Sequence, residues 1–362
     1  MAKGWRGRLL RVNLTKGEGR AEDIPPQVLK DYIGGRGLGI YYLNREMDPA
    51  ADPLSPDNVL VMAAGPLTGT LAATGCRYMI TTKSPLSGAL TASNSGGYFP
   101  TELKKAGYDA LLFQGRSPEP VYLWLDGPDA ELRPAGHLWG RTVPEATQRV
   151  LEETDPQAKV SCIGPAGEKM VLFAAVMNDV HRAAGRSGVG AVLGSKNLKA
   201  VAVKGRGKVP LHDPDGFMAF HKELLRTYKK AAEKNPPAIR QYGTSYGVAV
   251  MNGFGILPTK NFQQGTFDKW EKINGPTLNN NYVTSRKACF ACPIGCGRYS
   301  KVNEGGFISE GEGPEYETIY ALGACCLVDY LPAVIKANHL CNELGLDTMT
   351  MGVTVACAME LV

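Results

Sequence analysis

No apolar run in this sequence approaches the roughly 18 residues that a membrane-spanning helix needs. The first residues, Met1-Ala2-Lys3-Gly4-Trp5-Arg6-Gly7, hold no apolar signal core. A cytoplasmic protein that neither spans nor is anchored to a membrane is the expectation. Charge of one sign is also scarce: the net charge is +5 over 362 residues. That balance gives no reason to expect nucleic acid, though it favours an acidic electron carrier as partner. Nine cysteines, odd in number and unevenly clustered, do not make a disulfide framework and suit a reducing compartment. There is no tandem repeat and no low-complexity segment.

What is present is ordinary globular material, 44% hydrophobic and 21% charged, and long enough for two or three domains. The pattern predicts an α+β fold, with a β-rich base domain over 1–208 and a mainly helical domain over 209–362. Within the first, Leu9–Leu14 alternates and runs into Lys16-Gly17-Glu18-Gly19, a hairpin signal. Strands are predicted over Val59–Ala63, Tyr78–Thr82, Ala110–Gln114, Val121–Leu125, Val160–Ile163, Leu172–Met177 and Ala200–Lys204. Helices are predicted over Gln27–Ile33, Phe99–Ala106 and Val143–Thr154. After Asp213-Pro214, a capping residue and a first-turn proline, apolar residues recur at helical spacing from Phe217 to Ala231. Further helices are predicted from Pro332 to Leu344 and from Asp347 or Thr348 onward. The chain stops inside an apolar helical pattern at Met359-Glu360-Leu361-Val362, so a partial chain is the expectation.

The densest chemical signal is Cys289-Phe290-Ala291-Cys292-Pro293-Ile294-Gly295-Cys296, a C-x2-C-x3-C loop. That spacing can turn three thiolates toward one centre, and soft sulfur ligands select zinc, copper(I) or an iron–sulfur cluster. Arg286, Lys287, Arg298 and Lys301 surround it, and no carboxylate occurs before Glu304. Such a cationic shell stabilises an anionic thiolate-ligated cluster. No second cysteine or histidine pair follows at short range, as a zinc site usually shows. The order of spacings is the reverse of the radical-SAM loop. A [4Fe–4S] cluster with a distant fourth ligand is the best local reading; a zinc staple and three packed thiols are the alternatives.

Glycine-rich loops supply a second signal. Gly34-Gly35-Arg36-Gly37-Leu38-Gly39 loosely resembles a dinucleotide fingerprint but lacks a clear βαβ context. Arg182-Ala183-Ala184-Gly185-Arg186 is a better phosphate cradle, because two guanidinium forks bracket small residues and free backbone N–H groups. Cys76-Arg77 and Asn94-Ser95-Gly96 have the same character, with Cys76 itself more suited to packing. A tight turn with surface arginines is the alternative for each.

Together these stretches resemble the aldehyde ferredoxin oxidoreductase family of tungsten enzymes. The supporting runs are Ala73–Arg77, Ser93–Gly97, Arg182–Arg186, Val192–Ala200, the three cysteines, Gly313–Thr318 and Leu344–Thr348, in family order. The resemblance implies a β-rich base domain followed by helical domains. It also implies a tungsten or molybdenum centre between two pyranopterins (tungstopterin), a Mg²⁺ bridging the pterin phosphates and a nearby [4Fe–4S] cluster. Arg77, Asn94, Gly96, Arg182, Ala183, Gly185 and Arg186 match pterin, phosphate and Mg²⁺ positions, and Cys289, Cys292 and Cys296 match cluster ligands.

Asn342, Leu346 and Asp347 match a family D-x-x-G-L-[CD] motif, with Asn342 replacing the aspartate and so carrying no charge. The second copy of that motif, which supplies the fourth cluster cysteine, is absent. Lys336-Ala337-Asn338-His339 stands where the family has E-x-x-H at a dimer interface. With Lys in place of Glu, His339 is expected to be a packed histidine.

The implied reaction oxidises an aldehyde to a carboxylate and sends electrons through the cluster to ferredoxin or an iron–sulfur partner subunit, in a homodimer or larger complex. Glu317 is the candidate for proton transfer, through a pKa raised by burial, and Thr348 is a candidate pocket residue. The alternatives are a relative reducing a carboxylic acid or aromatic thioester, and a non-catalytic iron–sulfur or zinc scaffold subunit.

Overall fold

A computed structural model describes residues 3–362. Two six-stranded mixed sheets and one three-stranded sheet are present. From edge to edge the first sheet runs Glu18–Asp23, Arg8–Asn13, Ala110–Gln114, Leu60–Ala64, Tyr78–Lys83, Leu90–Ser95. Its one parallel pair joins Arg8–Asn13 to Ala110–Gln114. The second sheet runs Arg182–Ala184, Val176–Asn178, Lys159–Cys162, Leu198–Lys204, Val121–Asp126, Asp129–Pro134. Its parallel pair is Leu198–Lys204 with Val121–Asp126.

Strand alternation explains how the sheets stack. Leu60, Met62, Leu111 and Phe113 from one sheet share a buried core with Leu123, Leu125, Val201 and Val203 from the other. Their neighbours Val61, Ala63 and Leu112 point the opposite way, beneath Leu38 and Leu43 of the helix Gly35–Glu46. Tyr122, Val160 and Ala202 likewise point toward Val143 and Val150 of the helix Val143–Glu153. Central strands covered on both faces read as continuous apolar runs, which is why they were visible in the sequence. Tyr78 ties the layers together through a 3.1 Å bond to Ser161.

The chain divides into two compact units. The first comprises Met1–His221 together with Cys289–Cys292 and Glu343–Leu346; its residues 1 and 2 lie outside the described ones. The second comprises Lys222–Ala288, Pro293–Asn342 and Asp347–Val362. Half of the cysteine loop, which the sequence reading puts in the helical domain, therefore packs in the first unit. In the second unit the helices Tyr316–Leu322, Leu331–Leu344 and Thr348–Leu361 surround a core that includes Ile319, Val334, Ile335 and Ala356. Its three-stranded sheet, Val283–Lys287, Gly297–Glu304, Phe307–Glu312, has no counterpart in the sequence reading.

Several local expectations are met. Phe99–Ala106 and Ala110–Gln114 have the predicted limits. Asp213 accepts a 2.9 Å bond from Gly216 N–H and caps the helix Pro214–Lys234, none of whose residues is buried. The strand predicted over Leu172–Met177 forms only over Val176–Asn178. Among the described residues, no helix is long and apolar enough to cross a membrane.

Candidate functional site

The cysteine loop connects the strands Val283–Lys287 and Gly297–Glu304. Ala291 (φ 52°) and Gly295 (φ 57°) take left-handed backbone, and Cys292 N–H closes a turn onto Cys289 O at 3.1 Å. Within the first unit, Phe290 N–H donates to Gly97 O at 3.2 Å, and the Phe290 ring meets Tyr98 edge-on at 6.3 Å. Cys289 is thereby set beside Cys76. The neighbouring Cys76 thiol pulls the Cys289 pKa down to about 6 against the opposing effect of burial; Arg182, the Gly97 backbone and Arg77 add to the lowering. Cys76 is pushed up, by Cys289 first and by burial second.

Cys289, Cys292 and Cys296 are half-buried and form no disulfide. Among the described residues, no three His, Cys, Asp or Glu side chains converge as a metal-binding group. The donor set itself fits an iron–sulfur cluster: three soft sulfur donors that form no disulfide, with Arg77 and Arg182 beside Cys289 to balance an anionic group.

Arginines and small residues gather around this thiol. An ideal Cβ on Gly96 would lie 3.1 Å from Cys289 Sγ and 4.0 Å from the Arg77 guanidinium carbon. Arg77 donates to Asn94 Oδ1, and Asn94 donates to Tyr78 O at 3.4 Å. Gly97 (φ 100°) approaches Asp179 and Arg182, whose Oδ2 and Cγ would lie 2.1 and 3.3 Å from an added Cβ. Arg182 and Ala183 pair with Asn178 and Met177 on the next strand. Arg186 follows Gly185, its backbone N–H bonds Ser93 Oγ at 3.1 Å, and its side chain is exposed.

A cavity of about 400 Å³ opens beside this group. Arg36, Arg77, Asn94, Thr68, Thr74 and Tyr78 help to line it. The helix Gly35–Glu46 begins at its wall, and its N-cap, Gly34, offers no side-chain bond to the first N–H groups. Two guanidiniums and an uncapped helix N-terminus make the cavity suited to an anionic ligand. Arg36 is a residue the sequence reading missed. Its signal was the Gly34–Gly39 run, set aside as a weak fingerprint. Asp179 was also missed; burial raises its pKa while N–H groups of Tyr98 (2.6 Å) and Phe99 (3.2 Å) oppose the rise.

The second unit holds the remaining candidates. Glu317 lies in the first turn of the helix Tyr316–Leu322 and is exposed, not buried as its proposed role supposed. Its neighbour Thr318 shares a 2.7 Å hydroxyl bond with Thr348. Asp347 caps the helix Thr348–Leu361, accepting from Thr350 Oγ1 at 2.6 Å and from the N–H groups of Met349 and Thr350. Asn342 donates to Glu312 O at 3.4 Å. Leu346, in the first unit, bridges to Ala174. His339 is buried, 2.9 Å from Ser309 Oγ and 3.4 Å from Ser300 Oγ.

Comparison with known proteins places this geometry. Residues 9–205 match the profile of the aldehyde ferredoxin oxidoreductase N-terminal domain, and residues 219–362 match that of its domains 2 and 3. A tungsten-containing aldehyde ferredoxin oxidoreductase of Pyrococcus furiosus is 48% identical over 359 residues, covering 98% of this chain and 58% of the relative. The WOR-like subunit of an aliphatic sulfonate oxidoreductase from the same organism is 32% identical, covering 99% and 59%. The chain thus spans a little under three-fifths of the length of these relatives. Among solved structures, the active-site complex BamBC of benzoyl coenzyme A reductase, with 1,5-dienoyl-CoA, superposes with a TM-score of 0.87 at 29% identity, covering 100% of this chain and 56% of that one. The profile matches and the identities agree: the chain belongs to the aldehyde ferredoxin oxidoreductase family.

Proposed function

We propose that this chain forms the cofactor-binding part of a tungstopterin oxidoreductase that oxidises small aldehydes to carboxylates. The balance is RCHO + H₂O → RCOO⁻ + 3 H⁺ + 2 e⁻. The two electrons pass to ferredoxin or an iron–sulfur partner subunit. The observation that carries this reading is the meeting of Arg77, Asn94, Gly96 and Arg182 around the thiol of Cys289.

When bound, the tungsten (or molybdenum) pterin centre supplies the two-electron step and the cluster the one-electron steps. The chain's own residues bind and orient. Arg77, Arg182 and Arg186 pair with pterin phosphates, and Arg36 joins them from the cavity wall. Asn94, Ala183 and Gly185 would offer amide and backbone groups to the pterins and to Mg²⁺. Gly96 would leave room for a pterin. Asn342, Leu346 and Asp347 hold a second pterin edge. Cys289, Cys292 and Cys296 would ligate the cluster. The Glu317 carboxylate takes the substrate proton, with Thr348 lining the pocket beside it. We place the protein in the cytoplasm, as a homodimer or a subunit of a larger complex.

The test uses the uninterrupted protein. Tungsten and iron analysis should return both metals; zinc alone sinks the proposal in favour of a scaffold. Glu317→Gln should cut aldehyde-dependent viologen reduction far more than tungsten content, and equal losses of both would make Glu317 structural. A second reading, reduction of a carboxylic acid or aromatic thioester, is favoured by the likeness to BamBC. Assaying aldehydes against aromatic thioesters with viologen dyes separates the two.

A further inference from the structure

In the second unit, Arg286 and Arg298 stand directly opposite one another on antiparallel strands. Like charges in that register repel. Arg298 is 3% exposed. Its guanidinium donates only to backbone carbonyls: Gly295 O at 3.0 Å, Gly297 O at 2.9 Å and Arg240 O at 2.7 Å. Arg240 in turn donates to Pro293 O at 2.6 Å. Among the described residues none of the three arginines forms an ion pair with a carboxylate. Glu315 accepts a hydrogen bond from the Thr244 hydroxyl instead.

These three arginines line an open pocket of about 420 Å³ together with Gln241, Asn279 and Thr284. Its arginines hold the carbonyls of the loop segment that carries Cys296, so an anion seated there lies against that segment. Three forks with no carboxylate partner among the described residues, around a cavity with amide and hydroxyl donors, are suited to a carboxylate.

We propose that this pocket is the landing site for a surface carboxylate of the acidic electron carrier that takes electrons from the loop. The inference rests on the electron-transfer reading of the cysteine loop given above. It adds the place of contact: Arg240, Arg286 and Arg298 clamp one acidic side chain of the carrier, fixing its approach to the edge of the loop nearest Cys296.

The test compares ferredoxin with benzyl viologen, a cationic dye that needs no anion pocket, as acceptors for the full-length enzyme. Thr284→Glu puts a tethered carboxylate into the pocket and should raise the KM for ferredoxin about tenfold, as loss of a charged docking contact does. Thr284→Gln, equal in bulk, should leave it within about twofold, and exposed Arg286→Gln should raise it several-fold and flatten its dependence on salt. Viologen turnover should stay within about twofold in both Thr284 variants. An unchanged ferredoxin KM in both Thr284→Glu and Arg286→Gln overturns the proposal. So does inorganic phosphate binding that Thr284→Glu abolishes without moving the ferredoxin KM, which would make the pocket a small-anion site. Should the wild-type enzyme reduce neither acceptor, the functional reading has failed; calorimetric binding of ferredoxin to the same variants then decides the docking site alone.

Discussion

Gly39 lies so close to Thr81 that an added Cβ would sit 2.2 Å from the Thr81 hydroxyl oxygen and 2.7 Å from its Cβ. The neighbouring Gly37 is equally confined, 2.2 Å from Tyr32 O. Gly39 therefore serves close packing of a helix on a sheet, and Gly37 the close approach of that helix to the end of the helix Pro26–Tyr32. Gly39→Ala should destabilise the protein by about 1–3 kcal/mol through overpacking, read as a lower urea midpoint. An unchanged midpoint would mean that the helix can slide off the sheet without cost.

Lys196 is wholly buried, donating to Gly115 O at 3.0 Å and Pro56 O at 3.3 Å. Burial lowers its pKa from 10.5 to about 8. Between those values the unfolded chain holds the proton and the folded chain does not, so stability rises with pH across that window. As pH falls from 10.5 to about 8 the gain is lost. Relative to Lys196→Met, the wild type should gain about 3 kcal/mol of unfolding free energy from pH 7 to pH 10.5. Parallel stability curves for the two proteins would contradict the shift.

Gly96 has no room to spare beside Cys289 Sγ. Gly96→Ala should lower the iron bound per chain while leaving the melting temperature within a few degrees, since the clash falls on a side-chain sulfur and not on core backbone. Iron content equal to wild type would separate Gly96 from the cysteine loop.

How much of this was readable beforehand depends on where the signal lies. Phe99–Ala106 and Ala110–Gln114 are amphipathic or fully apolar over their own length, so their limits could be read directly. The helix Gly35–Glu46 was not, because its glycines oppose helix formation and only the sheet beneath it repays them. The exposed polar strands Asp129–Pro134 and Val283–Lys287 carry no alternation to detect. In the site, Arg77, Asn94, Gly96 and Arg182 announce themselves by local composition. Asp179 does not: its importance comes from bonds to Tyr98 and Phe99, about eighty positions away, and from left-handed backbone at Asp179 (φ 50°) and Val180 (φ 68°).

The segment Glu343–Leu346 completes the first unit although it is made late. Gly345 O accepts from Ala175 N–H at 2.8 Å, and Leu346 pairs with Ala174. A ribosome releasing about 5–20 residues per second delivers that partner roughly ten to thirty seconds after the strand it joins. Through that interval the Ala175 N–H waits for its acceptor, so chaperone occupancy of nascent chains should peak before this segment emerges and fall after it.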